Sequence, residues 1–457
     1  MIKELLKKYN TPVPRYTSYP PANFFKDTYT AVDYLEAVEQ SNSWEPKNIS
    51  LYFHLPFCSK LCFYCGCNSY PMADQQTVLN YVEALKAELK LVSKFIDKNR
   101  PVSQVHFGGG TPNSVPVEYL TQIMDVLYET FIFKSTPEIA IECNPAYLDL
   151  KYLQQLKTAG FNRFSLGIQD FNAQVLKGVN RDPSPIPAKD LVLFLKDGSP
   201  GIRVNLDFIY GLPYQTPDSF TDTIQKAIDI EPDRLVTFSY AHVPWVNKNQ
   251  EILEKSGLPD NNEKAKMYEK ACELLTEQGY KAIGLYHFVQ ENDELFQALK
   301  SGTLHRNFQG YCTRGTTGQV YAFGVSGISQ LHKAYAQNSK SVLEYIAAIK
   351  QEQLPIRKGY ALNDQEITVR EVITELMCNK QINWNSLAES LFITAPKIKE
   401  VIHYNESVLK QFQDDGIIQF SDENIKVTDE GVLFIRNVAA SFDPLLVAGN
   451  QMFSKPV

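Results

Sequence analysis

The sequence predicts an α/β protein built on a partial TIM-like (β/α)6 barrel, with an N-terminal arm and a mainly helical, winged-helix-like C-terminal domain. Over roughly the first two thirds of the chain, short β-branched or aromatic runs alternate with amphipathic helical stretches, which is typical of repeated βα units and a mostly parallel sheet. Beyond about residue 350, helical patterns dominate. The 457 residues, 44% of them hydrophobic and 21% charged, can bury a sizeable core.

The barrel region divides into strands and the helices that connect them. The predicted strands are Ile49–Leu55, Gln104–Phe107, Glu138–Glu142, Arg163–Gly167, Arg203–Ile209 and Leu235–Ala241, with a further strand at Ala282–His287. The predicted helices are Thr77–Asp97, Val117–Thr130, Leu150–Ala159, Ser219–Ile230 and Glu263–Gln278. Six successive βα units predict a complete or partial barrel.

Three segments follow from this pattern: an arm over residues 1–45, the barrel and its extension over 46–350, and a C-terminal domain over 351–457. The arm carries no periodic pattern and is expected to be irregular. The C-terminal domain is predicted to hold three helices and a hairpin, an arrangement that resembles a winged helix. These elements are Glu366–Asn379, Asn385–Leu391 and Pro396–Asp414, followed by Ile417–Phe420 and Ile425–Thr428.

The charge balance excludes several classes of partner. There are 45 Lys and Arg against 52 Asp and Glu, a net charge of −7, which lacks the basic surface that nucleic acid binding requires. No apolar run approaches the length of a membrane helix, and the charged N-terminus does not read as a signal peptide. We expect no nucleic acid partner, no membrane span and a cytoplasmic location.

The strongest chemical signal is a group of cysteines that directly follows the first predicted strand. Cys58, Cys62 and Cys65 have the spacing Cys-x3-Cys-x2-Cys, and Cys67 comes two residues later. Three thiolates can hold a cubane [4Fe-4S] cluster and leave one iron open for a substrate or cofactor. The alternative is a structural zinc site with Cys67 as the fourth ligand, although one short loop would be strained in tetrahedral chelation.

Other polar or flexible residues follow later strands. Gly108-Gly109-Gly110-Thr111-Pro112 comes after the second strand, where glycines let backbone groups approach a ligand closely. Glu142, Gln169 and Asp207 fall at or just after strand ends, where their oxygens can accept hydrogen bonds from ribose hydroxyls. Arg181 can hold a carboxylate through two hydrogen bonds.

The cysteine spacing resembles that of radical S-adenosylmethionine (SAM) enzymes. Further motifs resemble the oxygen-independent coproporphyrinogen III oxidase (dehydrogenase) family over nearly the whole chain: Arg15–Pro20, Tyr52–Cys58, Cys65–Asn68, Ile209–Pro213, Tyr240–His242 and His305–Tyr311. The resemblance implies a [4Fe-4S] cluster on Cys58, Cys62 and Cys65 and two bound SAM molecules.

The resemblance also implies roles for individual residues. The SAM on the cluster would contact Tyr52, Gly109, Glu142 and Ile328. The second SAM would contact Gly110, Thr111, Gln169, Arg181, Asp207 and Ala241. Tyr64 and Gln309 would also bind cofactor, and the catalytic residues would be Tyr52 and Cys67. His54, His106 and His242 receive no role, since a satisfied core histidine is at least as common in such positions.

The implied reaction is decarboxylation of two propionates of coproporphyrinogen III to vinyl groups by a 5′-deoxyadenosyl radical, with a flavodoxin or ferredoxin as reductant and a monomeric enzyme. Two departures bear on the substrate. Tyr286 stands where the family pattern leads us to expect Asp, and the segment Gly315–Ala322 is one residue longer than expected. The alternatives are a related radical SAM enzyme acting on haem or another tetrapyrrole, and a haem-binding chaperone.

Overall fold

The computed structural model describes residues 2–199, 201–245, 247–446 and 453–454. Its centre is a sheet of 12 strands in the hydrogen-bonded order β16-β15-β14-β13-β1-β4-β5-β6-β7-β8-β10-β9. The strands are β1 Ile49–Leu55, β2 Phe57–Cys58, β3 Tyr70–Pro71, β4 Val102–Gly109, β5 Phe133–Cys143, β6 Arg163–Gln169, β7 Arg203–Tyr210, β8 Arg234–Ser239, β9 Lys281–Ile283, β10 His287–Val289, β11 Leu304–Asn307, β12 Gly310–Thr313, β13 Gln319–Phe323, β14 Ile328–Gln330, β15 Ala334–Asn338, β16 Ile356–Ala361, β17 Gln381–Asn383, β18 Ile418–Phe420 and β19 Asn424–Val427.

Helices connect these strands and form the C-terminal domain. They are α1 Ile2–Tyr9, α2 Ala31–Ser41, α3 Gln75–Ser93, α4 Val117–Thr130, α5 Leu150–Thr158, α6 Ala173–Gly178, α7 Ala188–Lys196, α8 Pro217–Ile228, α9 Glu251–Glu254, α10 Asn261–Glu277, α11 Glu294–Lys300, α12 Val342–Lys350, α13 Asp364–Asn379, α14 Trp384–Leu391, α15 Ala395–Val401, α16 Glu406–Asp414 and α17 Ile435–Ala440. Within the described residues, no helix is both long and apolar enough to cross a bilayer.

The six predicted parallel strands are confirmed and stand side by side as β1-β4-β5-β6-β7-β8. Alternate residues of these strands form a fully buried face that includes Phe53, Phe107 and Phe164, and the rings of Phe53 and Phe107 lie 5.1 Å apart. The intervening residues of β6 and β7 are only partly buried. Because the strands are parallel, their carboxyl ends meet at one edge, where Leu55 pairs with Gly109. That edge positions the candidate site.

Two strand predictions need correction. The single strand expected at Ala282–His287 is wrong, because the chain reverses between β9 and β10, and Gly284 adopts a positive φ of 59° in that turn. The strand β13 was missed. It pairs in parallel with β1, far away in sequence, and adds a seventh parallel strand to the barrel.

Two helix predictions are also corrected. The arm is not irregular throughout, since it contains α1 and α2, and α2 begins with a capping box between Thr30 and Asp33. The single helix expected over Pro396–Asp414 is two helices, because His403 adopts a left-handed φ of 52° and Asn405 caps the start of α16.

The C-terminal domain and the arm share a second hydrophobic cluster, separate from the barrel core. The predicted hairpin is confirmed as β18 and β19, and β17 completes a three-stranded sheet beside the helices. Tyr9 of α1 packs against Phe412 with ring centroids 5.3 Å apart, and the Arg436 guanidinium donates to the carbonyls of Val13 and Pro14. The main sheet continues to β16, beyond residue 350, and we propose a domain boundary near residue 362.

Candidate cofactor site at the carboxyl edge of the barrel

The cysteine loop leaves the barrel at the carboxyl end of β1. Cys58 ends the short strand β2, which pairs with β3, and its thiol is buried. Burial raises the pKa of Cys58 to about 11, and the Thr111 hydroxyl donates to its sulfur at 3.3 Å. Cys62 and Cys65 are partly buried, and Cys67 is exposed. A hydrogen bond from Cys67 lowers the pKa of Cys65 to about 6, which favours its thiolate.

Neighbouring elements hold this loop in place. The Phe63 N–H donates to the Val179 carbonyl (3.1 Å), and Asn180 Nδ2 donates to the Leu61 carbonyl (2.7 Å). From the segment after β8, Asn247 Nδ2 donates to the carbonyl of Cys65 (2.6 Å), and Gln250 Nε2 donates to that of Tyr64 (2.9 Å). The cysteines are therefore positioned by two separate parts of the barrel, the segment after α6 and the segment after β8.

Two glycines bring the end of β4 close to the loop. Gly109 has a φ of 117°, which L side chains rarely adopt, and a Cβ there would lie 2.8 Å from the His54 ring. A Cβ on Gly110 would lie 2.4 Å from the Pro56 carbonyl oxygen and 3.1 Å from Cys58 Sγ. No larger residue fits at either position, so the backbone itself lines this part of the edge.

Tyr52 and Glu142 lie on opposite sides of β4, each beside a histidine. The Tyr52 hydroxyl bonds His54 Nδ1 at 3.1 Å, and His106 Nε2 lies 2.9 Å from Glu142 Oε1. Burial acts to raise the pKa of Glu142, but hydrogen bonds from His106 and the Gly109 N–H lower it below its ordinary value. Glu142 is therefore a carboxylate that can accept hydrogen bonds from a ligand.

Gln169, Arg181 and Asp207 come together at the carboxyl ends of β6 and β7. A Cβ on Gly167 would lie 2.8 Å from Gln169 Nε2 and 3.1 Å from Arg181 Nη2, so this glycine makes room for both side chains. Gln169 has a left-handed φ of 68°, and its Oε1 is buried without a hydrogen-bond partner. Ser165 donates to Asp207 at 2.6 Å, but burial raises the pKa of Asp207 to about 7.

Arg181 links this group to the cysteines. Its Nη1 lies 3.6 Å from Cys62 Sγ and 3.4 Å from the Tyr64 hydroxyl, and its Nη2 donates to the Gly167 carbonyl. The structure thus joins Cys62, Tyr64 and Arg181 in one group.

The remaining predicted residues are more dispersed. Ala241 follows β8, and Ile328 begins β14 just after the turn that ends β13, so both lie at the carboxyl edge. Gln309 lies in the turn of a separate two-stranded sheet, where its N–H donates to Asn307 Oδ1 at 2.9 Å. The cofactor roles of these three residues stay predictions.

Sequence reasoning missed the residues that position the predicted ones. His106 contacts Glu142, and its place two residues before Gly108 on a strand was a usable signal, since alternate residues share a face. His54 positions Tyr52 in the same way. Asn247 and Gln250 carry no such signal, because they reach the cysteine loop only through the fold.

The residues present fit an iron–sulfur cluster and SAM. The thiols lie on one loop, and the glycine backbone leaves space beside Cys58. The buried Gln169 Oε1 has no hydrogen-bond partner and can accept a hydrogen bond from a ligand. Within the described part of the chain, no three Cys, His, Asp or Glu side chains converge on a point that could hold a single metal ion.

A large cavity lies away from the cysteine loop. It has a volume of about 690 Å³ and opens at the amino ends of β1 and β13, where Glu45, Pro46 and Gly318 line it together with residues of α13 and α14. It is therefore at the opposite end of the parallel strands from the cysteines.

Comparisons with known proteins agree with this site. The Radical SAM superfamily model matches residues 52–227, which include the cysteine loop and the ends of β4 to β7. The HemN C-terminal domain model matches residues 362–434. The fold and the cysteine site therefore define a radical SAM protein, a class that carries a [4Fe-4S] cluster and uses SAM.

Relatives that match over nearly the whole chain identify the family within this class. The chain is 37% identical to the oxygen-independent coproporphyrinogen III oxidase of Synechocystis sp., over 99% of this chain and 97% of the relative, and 35% identical to that of Escherichia coli, over 99% and 98%. The structure of Escherichia coli coproporphyrinogen III oxidase (HemN), described as a radical SAM enzyme, aligns with a TM-score of 0.88 at 34% identity and covers 95% of this chain and 100% of that one. The chain belongs to the oxygen-independent coproporphyrinogen III oxidase family.

Proposed function

We propose that this chain is a radical SAM oxidoreductase that decarboxylates two propionate side chains of coproporphyrinogen III to vinyl groups without oxygen, giving protoporphyrinogen IX. The observation that carries the proposal is the loop with Cys58, Cys62 and Cys65 beside the glycine backbone of β4, in a chain related over its full length to enzymes of that name. The enzyme would work in the cytoplasm as a monomer.

Cys58, Cys62 and Cys65 would hold the [4Fe-4S] cluster, and SAM would bind beside it. When bound and reduced, the cluster and SAM supply a 5′-deoxyadenosyl radical that removes a hydrogen atom from the β-carbon of a propionate. The reducing electron would come from a flavodoxin or ferredoxin. Carbon dioxide then leaves, and one electron passes to a one-electron acceptor, which balances each vinyl group formed.

The chain's own residues would place two SAM molecules. Tyr52, Gly109, Glu142 and Ile328 would contact the SAM on the cluster, and Glu142 is already held as a carboxylate by His106. Gly110, Thr111, Gln169, Arg181, Asp207 and Ala241 would contact the second. The buried, unpartnered Gln169 Oε1 and the clustered Arg181 and Asp207 support a second polar ligand there. Tyr64 and Gln309 would complete the cofactor contacts.

Cys67 and Tyr52 are the proposed catalytic residues. Cys67 is exposed next to the proposed cluster ligands, where a substrate could approach it, and its thiol hydrogen-bonds Cys65. The hydroxyl of Tyr52 is oriented by His54, whose other ring nitrogen bonds the Asn68 carbonyl at 2.9 Å. That chain of contacts fixes Tyr52 beside the loop that carries Cys67.

The test is an anaerobic incubation of the cluster-loaded enzyme with dithionite or flavodoxin, SAM and coproporphyrinogen III. We expect protoporphyrinogen IX, carbon dioxide and 5′-deoxyadenosine. Cleavage of SAM with another tetrapyrrole, and none with coproporphyrinogen III, would identify a different radical SAM enzyme. Binding of haem without any 5′-deoxyadenosine would identify a haem-binding chaperone.

A further inference from the structure

Three arginines meet at the carboxyl edge of the barrel and have no part in the cofactor site. Arg15 comes from the arm, Arg306 from β11 and Arg436 from α17. Arg15 and Arg436 line a small cavity together with Tyr210 and Ser239, the last residues of β7 and β8. The cavity therefore opens beside the strand that carries Asp207.

Two of these arginines, Arg15 and Arg306, lie away from acidic side chains. Among the described residues, no carboxylate oxygen lies within 4.0 Å of Arg15 or Arg306. Arg306 is only 5% exposed, and its Nε is buried without a partner. Burial, reinforced by the charges of Arg15 and Arg306, lowers the pKa of Arg436 to about 9. The exposed Arg15 and the buried Arg306, neither with a carboxylate beside it among the described residues, favour the binding of an anion.

The position of Arg15 is fixed by the other two arginines. Arg306 Nη1 donates to the Arg15 carbonyl at 3.0 Å, and the Arg436 guanidinium holds the carbonyls of Val13 and Pro14. The arm is thus tied down on both sides of the cavity, while the Arg15 side chain itself stays exposed to it.

Tyr286 supplies a second donor in the same cavity. Its hydroxyl oxygen accepts a hydrogen bond from Arg306 Nη2, so its own proton is left to donate to another group. Its ring lies 5.2 Å from that of Phe238, and Leu285 lines the same wall. A cationic group, a phenol donor and an apolar wall together suit a carboxylate on a short alkyl chain.

The volume of the cavity also suits a carboxylate on a short alkyl chain. Its volume of about 40 Å³ holds the carboxylate end of a side chain but not a tetrapyrrole ring. The ring would then lie outside it, towards the carboxyl ends of the central strands.

We propose that Arg15 and Tyr286, backed by Arg306, bind one propionate carboxylate of the substrate and so orient the tetrapyrrole over the cofactor site. The proposal rests on the proposed function and adds specificity residues to it. The proposal also gives Tyr286 a role. Unlike the Asp expected at this position, a phenol forms no ion pair with Arg306 or Arg15, so both remain available to a carboxylate of the substrate.

Two variants test it in the cluster-loaded enzyme: Arg15→Gln and Tyr286→Phe. The control is Arg357→Gln, an exposed arginine on β16. Binding of coproporphyrin III, the air-stable oxidised form with the same four propionates, is followed by its fluorescence under anaerobic conditions. In parallel, KM is measured for coproporphyrinogen III, with iron content and SAM affinity as separate readouts.

We expect Arg15→Gln to raise both Kd and KM about tenfold and Tyr286→Phe about threefold, with iron content and SAM affinity unchanged. Arg15→Lys should recover part of the loss, and Arg357→Gln should match the parent enzyme. The inference fails if both variants keep Kd and KM within twofold of the parent while turnover continues. If the parent enzyme binds coproporphyrin III through Arg15 but does not turn over coproporphyrinogen III, the proposed function fails and the binding site stands.

Discussion

The two ends of the barrel differ in how their charged groups are satisfied. At the amino end, Arg163 pairs with Glu138, and the guanidinium of Arg234 is held by Asp293 at 2.8 Å. At the carboxyl end, Asp207 has only a hydroxyl partner, so burial raises its pKa to about 7. By contrast, cationic neighbours, Arg163 first, overcome the effect of burial and hold the pKa of Glu138 down to about 2.

The pairing of charged side chains indicates the functional end of the barrel better than the volume of a cavity does. The cavity of about 690 Å³ lies at the amino end, and the charges that line it neutralise one another: Glu371 lies 3.1 Å from both Arg370 and Arg314. Such pairs serve the fold. At the carboxyl end, the cysteine thiols, the buried amide oxygen of Gln169 and the guanidinium of Arg15 are available to ligands.

Removal of a cluster ligand should have the largest effect. Cys58→Ala, Cys62→Ala and Cys65→Ala should each lose iron and all activity, because three thiolates are the minimum set on this loop. Cys67→Ala should keep its iron and lose activity, and Cys272→Ala, an isolated thiol, should change neither. Iron analysis and visible absorption after anaerobic purification give the result. Equal iron loss in Cys67→Ala would overturn the ligand assignment.

A break in an amino-end pair should reduce stability and leave cofactor binding intact. Arg163→Ala strands the buried Glu138 carboxylate, so we expect the free energy of unfolding to fall by about 3–5 kcal/mol. Lys270→Ala, which removes the exposed pair with Asp218, should leave the free energy of unfolding nearly unchanged. Urea unfolding and SAM titration check both. Loss of SAM binding in folded Arg163→Ala would contradict the division between the two ends.

Asp207 should destabilise the protein as pH rises when no ligand is bound. Its pKa is 3.8 ordinarily and about 7 in the folded protein, so the folded state holds the extra proton between these values, and stability falls across that window. Above pH 7, Asp207→Asn should therefore be more stable than the parent by at most about 4 kcal/mol, with little difference below pH 4. Urea unfolding of the two proteins without SAM, at pH 5 and pH 8, measures this. An equal difference at both pH values would refute the prediction.

Loss of Arg181 should weaken the second SAM alone. Arg181→Ala removes a charged hydrogen-bond donor, which costs about 1.5–3 kcal/mol of binding free energy. Equilibrium binding should show two SAM per chain in the parent and one tight SAM in the variant, with cluster spectra unchanged. The nearby exposed pair Lys60–Asp182 supplies the control, Lys60→Ala. A single SAM in the parent enzyme would rule out the second site.

Sequence alone was enough for the features that depend on local pattern. The six central strands are runs of buried β-branched and aromatic residues, and β1 begins and ends at the predicted residues. The cysteine spacing is local too, as is the glycine run after β4. A one-residue break such as the left-handed His403 leaves no comparable pattern, so the sequence predicts one helix where the structure has α15 and α16.

Features that depend on long-range contacts could not be predicted from the sequence. β13 is in the barrel only because it pairs with β1, and the loop contacts of Asn247 and Gln250 exist only once β8 is in place. Arg15 lies in the arm and Tyr286 lies about 270 residues later in the barrel segment, and their shared cavity depends on the packing of the arm against the C-terminal domain.

The most direct test of the central claim follows a hydrogen atom. Coproporphyrinogen III deuterated at the β-carbons of its propionates is incubated anaerobically with the reduced enzyme and SAM, and the 5′-deoxyadenosine is analysed by mass spectrometry. We expect one deuterium in 5′-deoxyadenosine for each vinyl group formed, with one carbon dioxide released. Protoporphyrinogen IX formed together with unlabelled 5′-deoxyadenosine, or SAM cleavage without any loss of carbon dioxide, would contradict it.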